Sequence, residues 1–174
     1  MVDNKLRILA RILTALQGER FAGAAIVRSK WSSGHEKTEK DALTVQKDCH
    51  NLLTVCCQTE TEQLLVTMLC GRKNFKMAAD RHTEPESSDG MQFSAAAVQD
   101  FVQSVGDTNP IHQGIRPVIP GLMLMEKLLA GLPAGTTELC LRFHHAAYAG
   151  SVAVDWSEGR VSQQGRLTAQ FQWR

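Results

Sequence analysis

The sequence predicts an α+β fold in which apolar helices are packed against antiparallel sheet. Three observations carry that prediction. Two apolar stretches have helical spacing or helical length, "KLRILARILTAL" near the start and "GLMLMEKLLAGL" from Gly121. Most other apolar residues fall in short β-branched or alternating runs separated by polar breaks, which is how antiparallel strands read. The order helix, strand, further strands occurs in both halves, a weak internal repeat of element order rather than identity. A helix wrapped by antiparallel sheet, present twice, is an α+β arrangement.

Taken in order, residues 5–16 place Leu6, Leu9, Ile12, Leu13 and Leu16 at helical spacing with arginines between them, and Gly18 ends the helix. "FAGAAIVRSKW", "DALTVQKDC", "NLLTVCCQTE" and "TEQLLVTMLCGR" then read as four strands, interrupted by breaks such as "SSGHEKTEKD". Residues 76–90, "KMAADRHTEPESSDG", are rich in charge, Ser, Pro and Gly and read as a linker between a unit over 1–75 and another over 91–174. "SAAAVQDFVQSVG" offers Ser94 as an N-cap and sets Ala97, Val98, Phe101, Val102 and Val105 on one helical face. "GLMLMEKLLAGL" is so continuously apolar that it predicts a helix buried on nearly all sides, with Pro120 just before it, where a missing N–H costs little. "TELCLRFHHA", "SVAVDWSEG" and "RVSQQGRLTAQFQW" close the chain as strands. His144 and His145 are expected to alternate across the first of these, one inward and one outward.

Composition limits the function classes. A chain of 174 residues with 43% hydrophobic residues, 21% charged residues and a net charge of +1 is long enough to bury a core, and argues against disorder and nonspecific nucleic-acid binding. Counting through Asp89 gives 13 basic and 12 acidic residues, with 6 and 6 beyond, so neither half is an electrostatic tail. No run approaches the roughly 18 apolar residues of a membrane span. The start carries Asp3, Lys5, Arg7 and Arg11 among its apolar residues, unlike a secretory signal, and a cytoplasmic protein is expected. Five cysteines without C-x-x-C spacing read as reduced thiols; no metal and no cofactor is expected.

The chemistry concentrates in "GDTNPIHQGIRPVIPGLMLME", residues 106–126. Gly106 permits a tight turn, Asn109 can bond its own backbone, and Pro110 forces Asn109 out of the helical region. A loop stiffened in this way suits Asp107 and His112 as a proton-transfer pair, which needs placement within hydrogen-bond reach. Pro117, Pro120 and Gly121 lead into a helix N-terminus whose amides can polarise a carbonyl oxygen. Glu126 follows in the same helix, where burial would raise its pKa. Each residue also has a plainer role open to it: Asp107 and Asn109 as turn formers, His112 as a structural histidine, Glu126 as a solvent-facing helix position.

"FSAAAVQDFVQSVGDTNPIH" resembles the MaoC-like hydratase/dehydratase family, in which a short helix leads into G-D-x-N-P-[IL]-H; Gly106, Asp107, Asn109, Pro110, Ile111 and His112 fit. The continuation "PVIPGLML" departs from that family's P-I-A-H-G-M, with Pro120 in place of its histidine. It is similar instead to the β-hydroxyacyl-acyl-carrier-protein dehydratases, H-F-P-x-x-P-V-M-P-G with an acid five residues after the glycine. His112, Pro117, Val118, Pro120, Gly121 and Glu126 fit that spacing, while Gln113 and Gly114 replace its Phe and Pro. The resemblance implies a hot dog fold, a long central helix wrapped by curved antiparallel sheet. It further implies a double hot dog whose first repeat, 1–75, is degenerate and whose second, 91–174, carries the motif. The implied reaction is reversible hydration and dehydration of 2-enoyl and 3-hydroxyacyl thioesters of coenzyme A or acyl carrier protein, in a homodimer, with the site formed between the two repeats of one chain or between chains. The implied roles are C2 proton transfer by His112, hydroxyl or water handling by Asp107 in one pattern or Glu126 in the other, and substrate binding by Asn109, Pro120 and the Gly121 amide. Thioester hydrolysis on the same fold, or a non-catalytic acyl-binding subunit, are the alternatives.

Overall fold

A computed structural model describes residues 5–16, 18–34, 41–71 and 90–174. The linker expected over 76–90 lies outside the described residues except for Gly90. Helix α1 (Lys5–Leu13) is followed by strands β1 (Ala25–Ser33), β2 (Ala42–Cys49), β3 (Leu52–Gln58) and β4 (Glu62–Leu69). The second part contains β5 (Met91–Phe93), α2 (Ala95–Val105), a 3₁₀ turn (Pro110–His112), α3 (Gly121–Gly131), β6 (Glu138–Phe143), β7 (Gly150–Asp155), β8 (Arg160–Gln163) and β9 (Arg166–Trp173).

All nine strands join one sheet in the order β2-β3-β4-β1-β6-β9-β8-β7-β5, every pairing antiparallel. Strands of each half are contiguous, and the halves meet where β1 pairs β6, with Trp31 opposite Leu139. Strand β4 shows why its sequence folds so: buried and half-buried positions alternate without a break from Glu62 to Leu69, which puts Leu64, Val66 and Met68 on the inner face. The three helices fill that inner side. Leu6, Leu9 and Ala10 of α1 are buried in one cluster with Val98, Phe101, Val102 and Val105 of α2 and Leu122 to Met125 of α3. Four consecutive buried residues, Leu122 to Met125, surround the first turn of α3 with neighbours, while Lys127, Ala130 and Gly131 leave one face of its later turns exposed.

Three details differ from the sequence expectation. The short strand β5 has too few residues to show a period, and is defined by its pairing with β7. "RVSQQGRLTAQFQW" is a hairpin, turning at Gln164 and Gly165, whose φ values of 53° and 73° suit a two-residue turn matched to strand twist. His144 and His145 do not alternate: β6 stops at Phe143, both backbone amides bond to Thr168 O, and both side chains are exposed.

Candidate active site

The loop after α2 is built by local capping. Ser94 Oγ accepts from Ala97 N at the start of α2, and Gly106 ends the helix in the left-handed region at φ 73°, which a residue without Cβ adopts freely. Asp107 N then bonds to Val102 O, turning the carboxylate back over the helix end. Asp107 Oδ1 accepts from Asn109 N at 2.9 Å. Asn109 Oδ1 accepts from Ile111 N and from Gly23 N, while its Nδ2 donates to Ala24 O at 2.8 Å. One amide side chain thereby fastens the loop of the second half to the chain entering β1 in the first. Gln99 of α2 completes the hold, donating from Nε2 to His112 O at 2.6 Å.

His112 is 6% exposed. Its Nδ1 lies 2.8 Å from Val118 O, and since a carbonyl can only accept, the proton is on Nδ1. Nε2 is left facing Asp107 Oδ2 at 3.5 Å. Burial lowers the imidazole pKa, opposed in turn by the charge of Asp107 and by the bond to Val118. Val118 is itself fixed: it forms a bridge with Tyr148, Ile119 N bonds to Ala147 O at 2.8 Å, and Ala149 N bonds to Pro117 O at 2.8 Å. Buried Gln163 clamps that second segment through Tyr148 N, Tyr148 O and Ser151 O.

The dyad opens on a cavity of about 530 Å³. Its walls come from both halves: the end of α1 and the start of β1 on one side, and the 106–112 loop, the start of α3 and residues 143–147 on the other. Asp107, Asn109, His112, Pro120 and Gly121 all line it. Pro120 supplies no side-chain cap to α3, so the amides of the first turn, which have no intrahelical partner, are left at the cavity wall. At Gly121 a Cβ would stand 2.9 Å from Phe143 Cζ, so glycine here lets a second wall residue pack against the helix start.

Glu126 is not part of this assembly. Its two carboxylate oxygens take Arg7 Nε at 2.7 Å and Nη2 at 3.2 Å, tying α3 to α1 away from the cavity. The cation that engages Glu126 comes from the opposite end of the sequence. The positioning contacts of Gln99, Gln163 and the Val118 carbonyl escape sequence reading. Glutamine on a helix or strand is an unremarkable surface residue until its backbone partner is known, and a carbonyl has no side-chain signature. Among the described residues, no group of three or more His, Cys, Asp or Glu is placed to hold a metal ion.

No family model matches the chain, and no curated protein does. Solved structures do. HtdX from Mycobacterium tuberculosis is similar at a TM-score of 0.53 and 14% identity, over 99% of this chain and 96% of that one. A MaoC-like dehydratase from Phytophthora capsici is similar at 0.51 and 12%, over 91% of this chain and 70% of that one. The fold is that of the hot dog proteins.

Proposed function

We propose that this chain catalyses the reversible addition and loss of water across the C2–C3 bond of 2-enoyl and 3-hydroxyacyl thioesters, with coenzyme A or an acyl carrier protein as the thiol. The observation that carries the reading is the His112–Asp107 dyad, held at 3.5 Å inside a cavity whose wall includes the uncapped start of α3. The shared fold with the two structures above supports it. In dehydration, neutral His112 Nε2 removes the C2 proton while protonated Asp107 gives its proton to the departing C3 hydroxyl. Hydration reverses both transfers, ionised Asp107 accepting the proton of the attacking water as His112 returns its own to C2. The pair therefore holds one proton in either direction, and only its location changes. Enolate charge on the thioester oxygen is received by the Gly121 amide and the positive end of the α3 dipole. Asn109 and Pro120 shape the substrate side of the loop, and Asp107, rather than Glu126, is the acting carboxylate.

Two structural readings belong to the same proposal. The contiguous strand sets on either side of the β1–β6 junction are two hot dog repeats, the first without the motif, and the chains pair as a homodimer, which light scattering on a gel-filtration eluate would measure. For the reaction, crotonyl-CoA and longer enoyl thioesters of CoA and carrier protein are followed by loss of enoyl absorbance, with His112→Ala as control. We expect turnover that is lost in His112→Ala. Release of free thiol without change at C2–C3 would make the chain a thioesterase, and saturable binding without turnover would make it a binding subunit.

A further inference from the structure

We propose that Arg142, Arg166, Arg28 and the His144–His145 pair form a phosphate-binding rim at the cavity mouth, which receives the phosphate of the pantetheine arm carrying the acyl group. The inference rests on the thioester reading above. His144 and His145 line the same cavity as His112 yet are exposed, so they stand where it opens. Arg166 Nη2 donates to His145 Nδ1 at 2.9 Å, which leaves the His145 hydrogen on Nε2, free to be given to a ligand. His144 Nε2 donates to Gln170 Oε1 at 2.9 Å. Gln170 is the register partner of Arg142, and Arg142 is the register partner of Arg28; all three are exposed, forming one row on the outer face of β9, β6 and β1.

Such a grouping is unfavourable without an anion. Like charges directly opposite across a strand pair destabilise a sheet. Desolvation, then the charges of Arg166 and His144, hold the His145 pKa below its ordinary value. Five cations elsewhere are matched by carboxylates: Arg7 with Glu126, Arg20 with Asp48, Lys30 and Arg174 with Glu138, Arg160 with Glu158. Among the described residues, no carboxylate pairs with Arg28, Arg142 or Arg166. A phosphate, with several acceptor oxygens, suits guanidinium N–H groups and an imidazole donor carried on neighbouring strands. It is also the one anion common to coenzyme A and the prosthetic arm of an acyl carrier protein.

Calorimetric titration of the full chain with pantetheine, 4′-phosphopantetheine and coenzyme A tests the rim without requiring turnover. Phosphopantetheine should bind about tenfold tighter than pantetheine, as expected for charge-assisted hydrogen bonds, with the ratio shrinking as salt is raised. In Arg142→Gln/Arg166→Gln the two should bind alike, at the wild-type affinity for pantetheine. The single variant Arg166→Lys, which keeps the charge and loses the fork, should retain part of the advantage and guards against loss of fold in the double variant. Coenzyme A binding like phosphopantetheine assigns the rim to the shared phosphate alone; tighter binding adds the nucleotide phosphates. Equal or absent binding of pantetheine and phosphopantetheine by the wild type, or a preference that survives in the double variant, overturns the proposal. Absence of turnover with the arginine-dependent preference intact would sink the catalytic reading and leave the rim standing.

Discussion

His112 owes its behaviour to its surroundings. Burial is the first cause and lowers its pKa from 6.5, while Asp107 and the Val118 carbonyl act in the opposite sense. The singly protonated His112–Asp107 pair that both directions need should therefore form at lower pH than it would with an exposed histidine, so kcat/KM should fall as pH rises through the lowered pKa. Asp107→Asn removes the largest opposing effect, so the imidazole itself should titrate lower still. Loss of the second proton-handling group should cost about 10²- to 10⁴-fold in rate. An imidazole titration of the variant, followed by NMR and displaced upward, would contradict the shift. Stability follows the same sign: near pH 6.5 the unfolded chain binds a proton that folded His112 refuses, so stability should decline as pH falls from 6.5 to the folded pKa and lose nothing more from this group below it. Urea titrations of the wild type and His112→Gln across that window would show the slope disappear in the variant.

Glu126→Gln should do the reverse of Asp107→Asn, keeping most turnover while weakening the tie between α3 and α1. With Arg7 and Glu126 side chains 35% and 22% exposed, the pair is worth about 1 kcal/mol after discounting for solvent, a fall of roughly 2–4 °C in Tm. A folded but inactive Glu126→Gln would restore the other acid. The contrast shows what a sequence discloses about single residues. Asp107, Asn109 and His112 are legible because Gly106 and Pro110 fix their relations within six positions. Glu126 is not, because the residue that decides its role, Arg7, lies 119 positions away.

Among elements, the start of α3 is the most demanding junction, because it must present backbone to the cavity and pack against the end of β6 as well. Gly121→Ala puts a Cβ 2.9 Å from Phe143 Cζ, so the ring has to move or the helix start must shift. Such overpacking costs about 1–3 kcal/mol. Turnover should fall with it, since the displaced amide is the one proposed to meet the thioester oxygen. Adding Phe143→Leu should recover most of the lost stability, and a double-mutant cycle by thermal melts should give a coupling of about 0.5–3 kcal/mol; strictly additive losses would show that the two residues do not share this space. Helices and long strands were readable from period alone, as in β4 and α2. What the period could not show was where β6 ends. That boundary is set by Thr168 O on another strand drawing off both His144 N and His145 N, which puts the two imidazoles at the rim instead of on opposite faces of a strand.

At the scale of the whole molecule, the linker-like composition of 76–90 suggests two separable units, whereas the described residues form one sheet and share one cavity. Trp31 and Leu139 face each other at the junction, and both belong to the continuous core that also holds α1, α2 and α3. Asn109 adds a second tie through Gly23 and Ala24. Halves joined by a full strand pairing and a common core should unfold together, so the most protected amides of β3 and β4 should exchange hydrogen with the same opening free energy as those of β8 and β9. Leu139→Ala tests this at the seam. Leu139 is fully buried, and its truncation should cost about 2–5 kcal/mol, depending on how far the cavity left behind can collapse. In a single cooperative unit that loss appears equally in amides on both sides of the β1–β6 junction, although the substituted residue belongs only to the second half. If protection falls in β8 and β9 while β3 and β4 keep theirs, the halves open independently, and the cavity between them would depend on a docking equilibrium rather than on the fold itself.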